Sequence, residues 1–180
     1  MNRLTAPNLA LSAHKLSALQ GVEEGITRLV TGAILIDGVL AGASLDRTLI
    51  QLPAFRQVGP LPWAAFSRKA DLGDRAFLWY PGLAMIGTGL SLAAALKGRS
   101  ETSSRSASAW LAAAAAFSAA GLLATAGAAP NMLRVRQAGD DAAVLQRSME
   151  GFQFWQRIRG TLQGLAFVAN VLSLLAIRRG

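Results

Sequence analysis

Four long apolar stretches occupy most of this 180-residue chain. A helix rises 1.5 Å per residue, so about 20 apolar residues are needed to cross roughly 30 Å of hydrocarbon. Each stretch is near that length, and the second and third contain no charged residue. We therefore predict an all-α fold, a four-transmembrane-helix bundle, with helices over Ile26–Leu45, Ala76–Leu96, Ala107–Leu133 and Ile158–Ile177.

The charge composition separates this chain from ordinary soluble domains. Charged residues make up 16% of the sequence, whereas soluble domains carry about 25%. The alternative is a soluble, alanine-rich helical bundle, which the uncharged interiors of the second and third stretches disfavour. The formal net charge is +8, and the basic residues cluster next to apolar ends, where they meet anionic headgroups. We therefore predict membrane lipid as a partner and no binding of nucleic acid.

The scarcity of metal-binding side chains excludes several kinds of site. The chain has no cysteine, which rules out disulfides, thiolate metal sites and a cysteine nucleophile. Its single histidine, His14, precedes the first apolar stretch. Haem, copper and di-iron sites that need several histidines are therefore excluded too. We predict no metal and no cofactor.

The chain is predicted to contain one membrane domain. Residues 1–24 have mixed character and are predicted to form an N-terminal tail, mobile or interfacial. Residues 25–180 form a single four-helix membrane domain in this prediction. The first helix continues to Pro53, and Trp63–Arg75 forms an amphipathic segment between helices 1 and 2. The basic residues divide almost equally between the two sides, so the positive-inside rule leaves the orientation open.

Local signals refine the connections. Gly59 and Pro60 break the chain after the first helix, and Asp140-Asp141 is typical of a helix start. Aromatic side chains near the predicted interfaces suit the level of the headgroups. We predict such anchors at Trp63, Trp79 and Tyr80.

Polar residues form a stripe on two of the predicted helices. At 100° per residue, Asp37, Ser44, Thr48 and Gln51 fall within about 60° on the first helix. Because an ionised group in hydrocarbon costs roughly 2.5–3.5 kcal/mol, such residues turn inward and pair. The stripes leave three possibilities open: structural hydrogen bonds, a cavity for a small amphipathic ligand, and a proton or ion path. On the fourth helix, Trp155, Arg159, Gln163 and Asn170 fall within about 80°.

Several short motifs carry a resemblance to a known family. Ala129-Pro130-Asn131 stands where the third helix would close, and Trp155-Gln156-Arg157-Ile158-Arg159 where the fourth would open. This pattern resembles the anthrone oxygenase-like family of small four-helix membrane proteins over about residues 26–177. The resemblance implies a bacterial cytoplasmic membrane location. In the first half of the chain, the resemblance to this family rests on Leu52-Pro53-Ala54, Gly59, Ser67-Arg68, Ala70-Asp71-Leu72 and Tyr80-Pro81.

The resemblance implies a pocket for a small hydrophobic or aromatic molecule, with cofactor-independent oxygenation as the narrower hypothesis. Fungal members generally place a histidine after the tryptophan, and this chain has Gln156 there. A carboxylate would then be the base, either Asp46 or Asp71. Whether the protein is an enzyme stays open, and a non-enzymatic accessory or assembly subunit with a membrane protein partner is the alternative.

Candidate ligand-binding residues come from the stripes and the motifs together. Asn131, Arg134 and Arg159 would orient oxygen atoms of the ligand, and Trp155 would stack on it. Asp37 and Gln163 complete the predicted set, because they carry the polar stripes deeper into the bundle.

Overall fold

A computed structural model describes residues 6–73, 76–102 and 104–179, and this part of the chain is almost entirely helical and contains no strand. A π-helical turn, Arg47–Gln51, separates the first two α-helices. The α-helices are α1 Ala6–Asp46, α2 Leu52–Val58, α3 Pro60–Ala70, α4 Ala76–Glu101, α5 Arg105–Gln137 and α6 Ala142–Ile177.

Four helical segments are long and apolar enough to cross a membrane: Gly21–Val58, Leu78–Ser100, Arg105–Gln137 and Ala142–Ile177. The predicted all-α, four-helix bundle is thereby confirmed. The distribution of side chains agrees with a lipid environment, because leucines such as Leu35, Leu96 and Leu123 are at least 67% exposed, while several amides and hydroxyls are buried. The four apolar helices of the described residues thus indicate an integral membrane protein.

The four long helices pack in a ring. α1 contacts α4 and α6, and α5 contacts the same two helices, so consecutive spans are neighbours and the fourth closes on the first. Lipid tails are as apolar as leucine, so close backbone approach must provide much of the association. Gly87 on α4 allows it, since a Cβ there would lie 3.0 Å from Ile36 Cγ2 on α1. Gly42 on α1 does not mediate such an approach, because nothing lies within 4 Å of a Cβ at that position.

The helices of the second half extend beyond the predicted ends. α5 continues through Pro130 to Gln137, so the motif around Asn131 does not close it. α6 begins at Ala142, and Trp155 therefore lies well inside this helix. The predicted helix start at the paired aspartates is confirmed, since Asp141 caps α6 by accepting from the backbone N–H groups of the second and third residues after it at 3.0 and 3.1 Å.

The connection between the first two spans folds back onto the bundle. Pro53 lacks a backbone N–H, and its ring disturbs the carbonyl four residues earlier, which lies in the π-helical turn. Gly59 has φ +91°, a conformation that favours glycine, and it separates α2 from α3 as predicted. Trp63 on α3 is fully buried against Phe152, with ring centroids 6.2 Å apart, so its predicted role as a headgroup anchor is wrong.

Three further predictions concern the aromatic anchors, the N-terminal tail and the amphipathic segment. The predicted anchors Trp79 and Tyr80 are exposed, as that role requires. α1 begins at Ala6, so the predicted tail boundary after residue 24 does not coincide with a helix end. The amphipathic segment is α3, and Arg75, its predicted last residue, lies outside the described residues.

The close approach at Gly87 generates a test of the packing. Gly87→Leu should lower the thermal unfolding midpoint in detergent, because the added side chain meets Ile36 and overpacking costs about 1–3 kcal/mol. Gly89→Leu is the matched control, since Gly89 is exposed with open space around it. Equal losses of stability in the two variants would contradict the α1–α4 packing described here.

Candidate ligand pocket

A cavity of about 310 Å³ lies where the end of α1, the π-helical turn and the end of α3 meet α4, α5 and α6. Its volume is at the lower end of the range for small-molecule sites, roughly 300–1,000 Å³. Apolar side chains form most of its surface, and charged groups converge on one part of it. The lining residues are Leu40, Ala43, Ser44, Asp46, Arg47, Gln51, Asp71, Leu72, Tyr80, Pro81, Ala84, Thr125, Ala128, Ala129, Met132, Leu133, Phe152, Arg159 and Gln163.

An ion pair forms one side of the cavity. Arg47, in the π-helical turn, donates from Nη1 to Asp71 Oδ1 at 2.8 Å and from Nη2 to Asp71 Oδ2. Both side chains are largely buried, at 12% and 21% exposure. The guanidinium carbon also lies 5.2 Å from the ring centroid of Phe152, within reach of a cation–π contact. This pair neutralises itself and ties the end of α3 to the end of α1.

Arg159 on α6 is the cation of the pocket that lacks a carboxylate partner among the described residues. Its Nη2 donates to Gln156 Oε1, and its Nε is buried without a hydrogen-bond partner. Arg47 and Asp71 interact with it electrostatically, with opposite signs. Because Arg47 and Asp71 pair with each other, Arg159 is the cation of the lining that has no ion-pair partner among the described residues.

The other acid of the cavity, Asp46, lies at its exposed edge. Its Oδ2 accepts from Gln51 Nε2 at 2.5 Å, while Gln51 Oε1 is buried without a partner. Asp46 therefore lines the cavity at its exposed edge and forms no ion pair with Arg159.

A seam of polar pairs joins α1 to α6. Ser44 donates to Gln163 Oε1 at 2.5 Å, and Asn170 Nδ2 donates to Asp37 Oδ2 at 2.8 Å. The two pairs lie seven residues apart on each helix, with numbers rising on α6 as they fall on α1, which is the register of antiparallel helices. We call these two pairs the α1–α6 polar seam. Its first pair borders the cavity, and its second pair lies deeper in the bundle.

The structure brings together half of the predicted site. Asp46, Asp71, Arg159 and Gln163 all line the cavity. The two predicted bases therefore lie in the same cavity as the predicted orienting cation, Arg159. One of these bases, Asp71, is engaged on both oxygens by Arg47. Their predicted catalytic and binding roles remain predictions.

The other predicted residues lie outside the cavity lining. Asn131 is buried against Gly151, and Arg134 is exposed. Trp155 packs over Gly127, where a Cβ would lie 2.9 Å from its ring, so its indole fills space between α5 and α6. Asp37 pairs with Asn170, away from the cavity.

Sequence reasoning missed several residues of the pocket. Arg47 and Tyr80 line it, and neither was predicted to do so. The polar stripe of the first helix already contained Ser44 and Gln51, which could have been assigned to the site. Arg47 has no such signal, because a charged residue at the end of an apolar stretch normally marks an interface.

Comparisons with known proteins do not extend this description: no protein-family model, curated protein or solved structure matches the chain.

The ion pair generates a test of the pocket wall. Asp71→Asn should destabilise the protein by roughly 1–3 kcal/mol, less than the 3–5 kcal/mol of a fully buried pair, because the Arg47 charge loses its partner. Thermal unfolding in detergent measures the effect. Asp140→Asn is the control, since Asp140 is 85% exposed and its contact with Arg68 is 3.5 Å. Equal stability of Asp71→Asn and the wild type would show that the pair does not support the fold.

Proposed function

We propose that this integral membrane protein binds a small amphipathic molecule inside the bundle, with an acidic head and a hydrophobic or aromatic body. The single observation that carries the proposal is Arg159, a cation lining the cavity without a carboxylate partner among the described residues. A partly buried guanidinium with an unsatisfied Nε is costly unless an anion completes it.

The hydrogen-bonding groups of the cavity favour an oxygen-rich ligand. Arg47 Nε and Arg159 Nε are both buried donors without partners, and both residues line the cavity. Gln51 Oε1 is the buried acceptor without a partner in the same lining. A carboxylate or phenolate matches the planar guanidinium of Arg159, the cation of the lining without an ion-pair partner among the described residues.

The remaining walls favour an apolar body. Apolar residues of the lining come from three spans: Leu40 from α1, Met132 and Leu133 from α5, and Phe152 from α6. An aromatic or short aliphatic group would bury its surface there, at about 25 cal/mol per Å² removed from water. The cavity volume suits a small molecule better than a whole phospholipid. The family resemblance supports a bacterial cytoplasmic membrane as the proposed location, where such lipophiles dissolve.

The proposal predicts that charge on the ligand is recognised by Arg159. Anthraquinone-2-carboxylic acid and its neutral carboxamide serve as paired probes, titrated by calorimetry against the protein in lipid nanodiscs. Arg159→Gln should weaken binding of the acid roughly 10- to 150-fold, since a hydrogen bond to a charged group is worth about 1.5–3 kcal/mol. The carboxamide should lose much less.

Arg157→Gln is the matched control, because Arg157 is exposed on the same helix and does not line the cavity. This variant should bind the acid as the wild type does. Equal affinity of Arg159→Gln and wild type for the acid would overturn the proposal. A stoichiometric protein partner recovered in place of any bound small molecule would favour the accessory-subunit alternative.

Cofactor-independent oxygenation is a second candidate, favoured by the two carboxylates that line the same cavity as Arg159. In such a reaction a carboxylate would remove a proton from an anthrone carbon, and the carbanion would form a C–O bond with molecular oxygen. The resulting hydroperoxide would take up the proton and lose water by cleavage of its O–O bond, which leaves the quinone. Asp46 is the better placed base, because Asp71 is held by Arg47 through both oxygens.

This candidate predicts faster oxygen uptake when 1,8-dihydroxyanthrone is added to the protein in nanodiscs than to empty nanodiscs. Asp46→Asn should return the rate to that of empty nanodiscs, because an amide cannot accept the proton. Asp140→Asn, an exposed change outside the cavity, should keep the wild-type rate. A wild-type rate no higher than that of empty nanodiscs would reject oxygenation of this anthrone and leave ligand binding intact.

A further inference from the structure

A second buried polar group lies away from the cavity, at the deeper pair of the α1–α6 polar seam. Asp37 is 3% exposed and lies near the middle of the first membrane-crossing segment. Its Oδ2 accepts a hydrogen bond from Asn170 Nδ2 at 2.8 Å. Asn170 Nδ2 also donates to Ser91 Oγ at 3.1 Å, and Ser118 Oγ donates to Ser91 Oγ at 3.5 Å. All four spans therefore contribute a polar side chain to this cluster.

Among the residues whose side chains the structure describes, no positive charge faces Asp37 from the helices packed against it. α4 presents Gly87 and Ser91, α5 presents Ser118, and α6 presents Asn170. In the described part of the chain, the cations of α1 on either side of Asp37 are engaged elsewhere, Arg28 by Glu24 and Arg47 by Asp71. Lys97 of α4 lies beside Gly25, about 18 Å along α1 from Asp37 at 1.5 Å per residue.

The side-chain amide of Asn170 has a buried oxygen that lacks a hydrogen-bond partner. The side chain is fully buried, and its Oδ1 has no hydrogen-bond partner, although its Nδ2 makes two bonds. A buried amide oxygen without a donor is costly, and so is a buried carboxylate without a cation. Both free-energy costs arise within the Asp37–Asn170 pair, so one chemical change at this pair would remove both.

We propose that Asp37 is a proton-binding site at mid-membrane depth, and that the bound proton closes a carboxylic acid–amide pair with Asn170. In this pair Asn170 Nδ2 donates to one oxygen of Asp37, and the protonated oxygen donates to Asn170 Oδ1. The proton therefore neutralises the carboxylate and satisfies the amide oxygen with one bond. The observed contact of 2.8 Å supplies the first of the two bonds.

The orientation of the amide favours a proton over a metal cation. A cation such as Na⁺ is bound by oxygen atoms, whereas the group directed at Asp37 is the amide nitrogen with its two hydrogens. Ser91 Oγ accepts from the same nitrogen and is likewise occupied. The site differs from the cavity because Asp37 and Asn170 are not part of its lining, so the proposal does not depend on a ligand there.

Infrared spectroscopy of the protein in lipid nanodiscs tests the proposal directly. The wild type should show the carbonyl band of a protonated carboxylic acid in neutral buffer, and the band should shift in D₂O. Asp37→Asn should abolish it. Asp46→Asn should retain it, because Asp46 is an exposed acid of the same helix. Asn170→Ala should shift the band to higher frequency, since the acid loses the amide as its hydrogen-bond partner.

Thermal unfolding gives an independent measurement. If the native state holds the proton and the unfolded state releases it, raising the pH favours unfolding, so the wild-type midpoint should fall from neutral to alkaline buffer relative to that of Asp37→Asn. The Asn170→Ala spectrum decides the matter if Asp37→Asn does not fold. A wild type without the carboxylic acid band in neutral buffer would overturn the proposal. Loss of the band on replacing choline with Na⁺ would assign the site to a cation and overturn it as well.

Discussion

The α1–α6 polar seam is the interaction on which the arrangement of the bundle depends. Between spans in lipid there is little hydrophobic driving force, so close packing and polar pairs must select the register. Ser44 meets Gln163 and Asp37 meets Asn170, with the same seven-residue spacing on both helices. A slip by one helical turn would separate both pairs and leave the buried Asp37, Ser44 and Gln163 without the partners described above. The seam therefore closes the ring of helices in one register.

The irregular end of the first span forms part of the cavity wall next to the α1–α6 polar seam. The π-helical turn Arg47–Gln51 interrupts α1 just beyond Ser44, and both of its terminal residues line the space. Interruptions of this kind occur frequently at functional sites. Asp71, brought back by α2 and α3, then pairs with Arg47. The charged wall of the pocket thus depends on the turn between spans as much as on the spans themselves.

The parts that could be predicted from sequence are those governed by hydrocarbon thickness and by helical periodicity. Uncharged stretches of about 20 residues identify the spans, and the 100° rule places Asp37 with Ser44 and Gln163 with Asn170. Helix ends could not be predicted as well, because a helix that continues into the headgroup region becomes polar without breaking, as α5 does after Leu133. Buried Trp63 shows the same limit: an amphipathic pattern does not reveal which partner covers its apolar face.

Two different chemical environments lie at the two ends of the α1–α6 polar seam. At Asp37 the four spans approach closely and the polar atoms face one another, so a proton is sufficient to complete the pairing. At Arg159 the helices diverge around a space of about 310 Å³, and the unsatisfied Nε belongs to a residue of its lining. A guanidinium cannot be neutralised by losing its proton near neutral pH, so its charge must be met by another group. Because the Asp71 carboxylate is already engaged by Arg47 through both oxygens, the acidic ligand proposed above would supply the counter-charge that Asp71 does not.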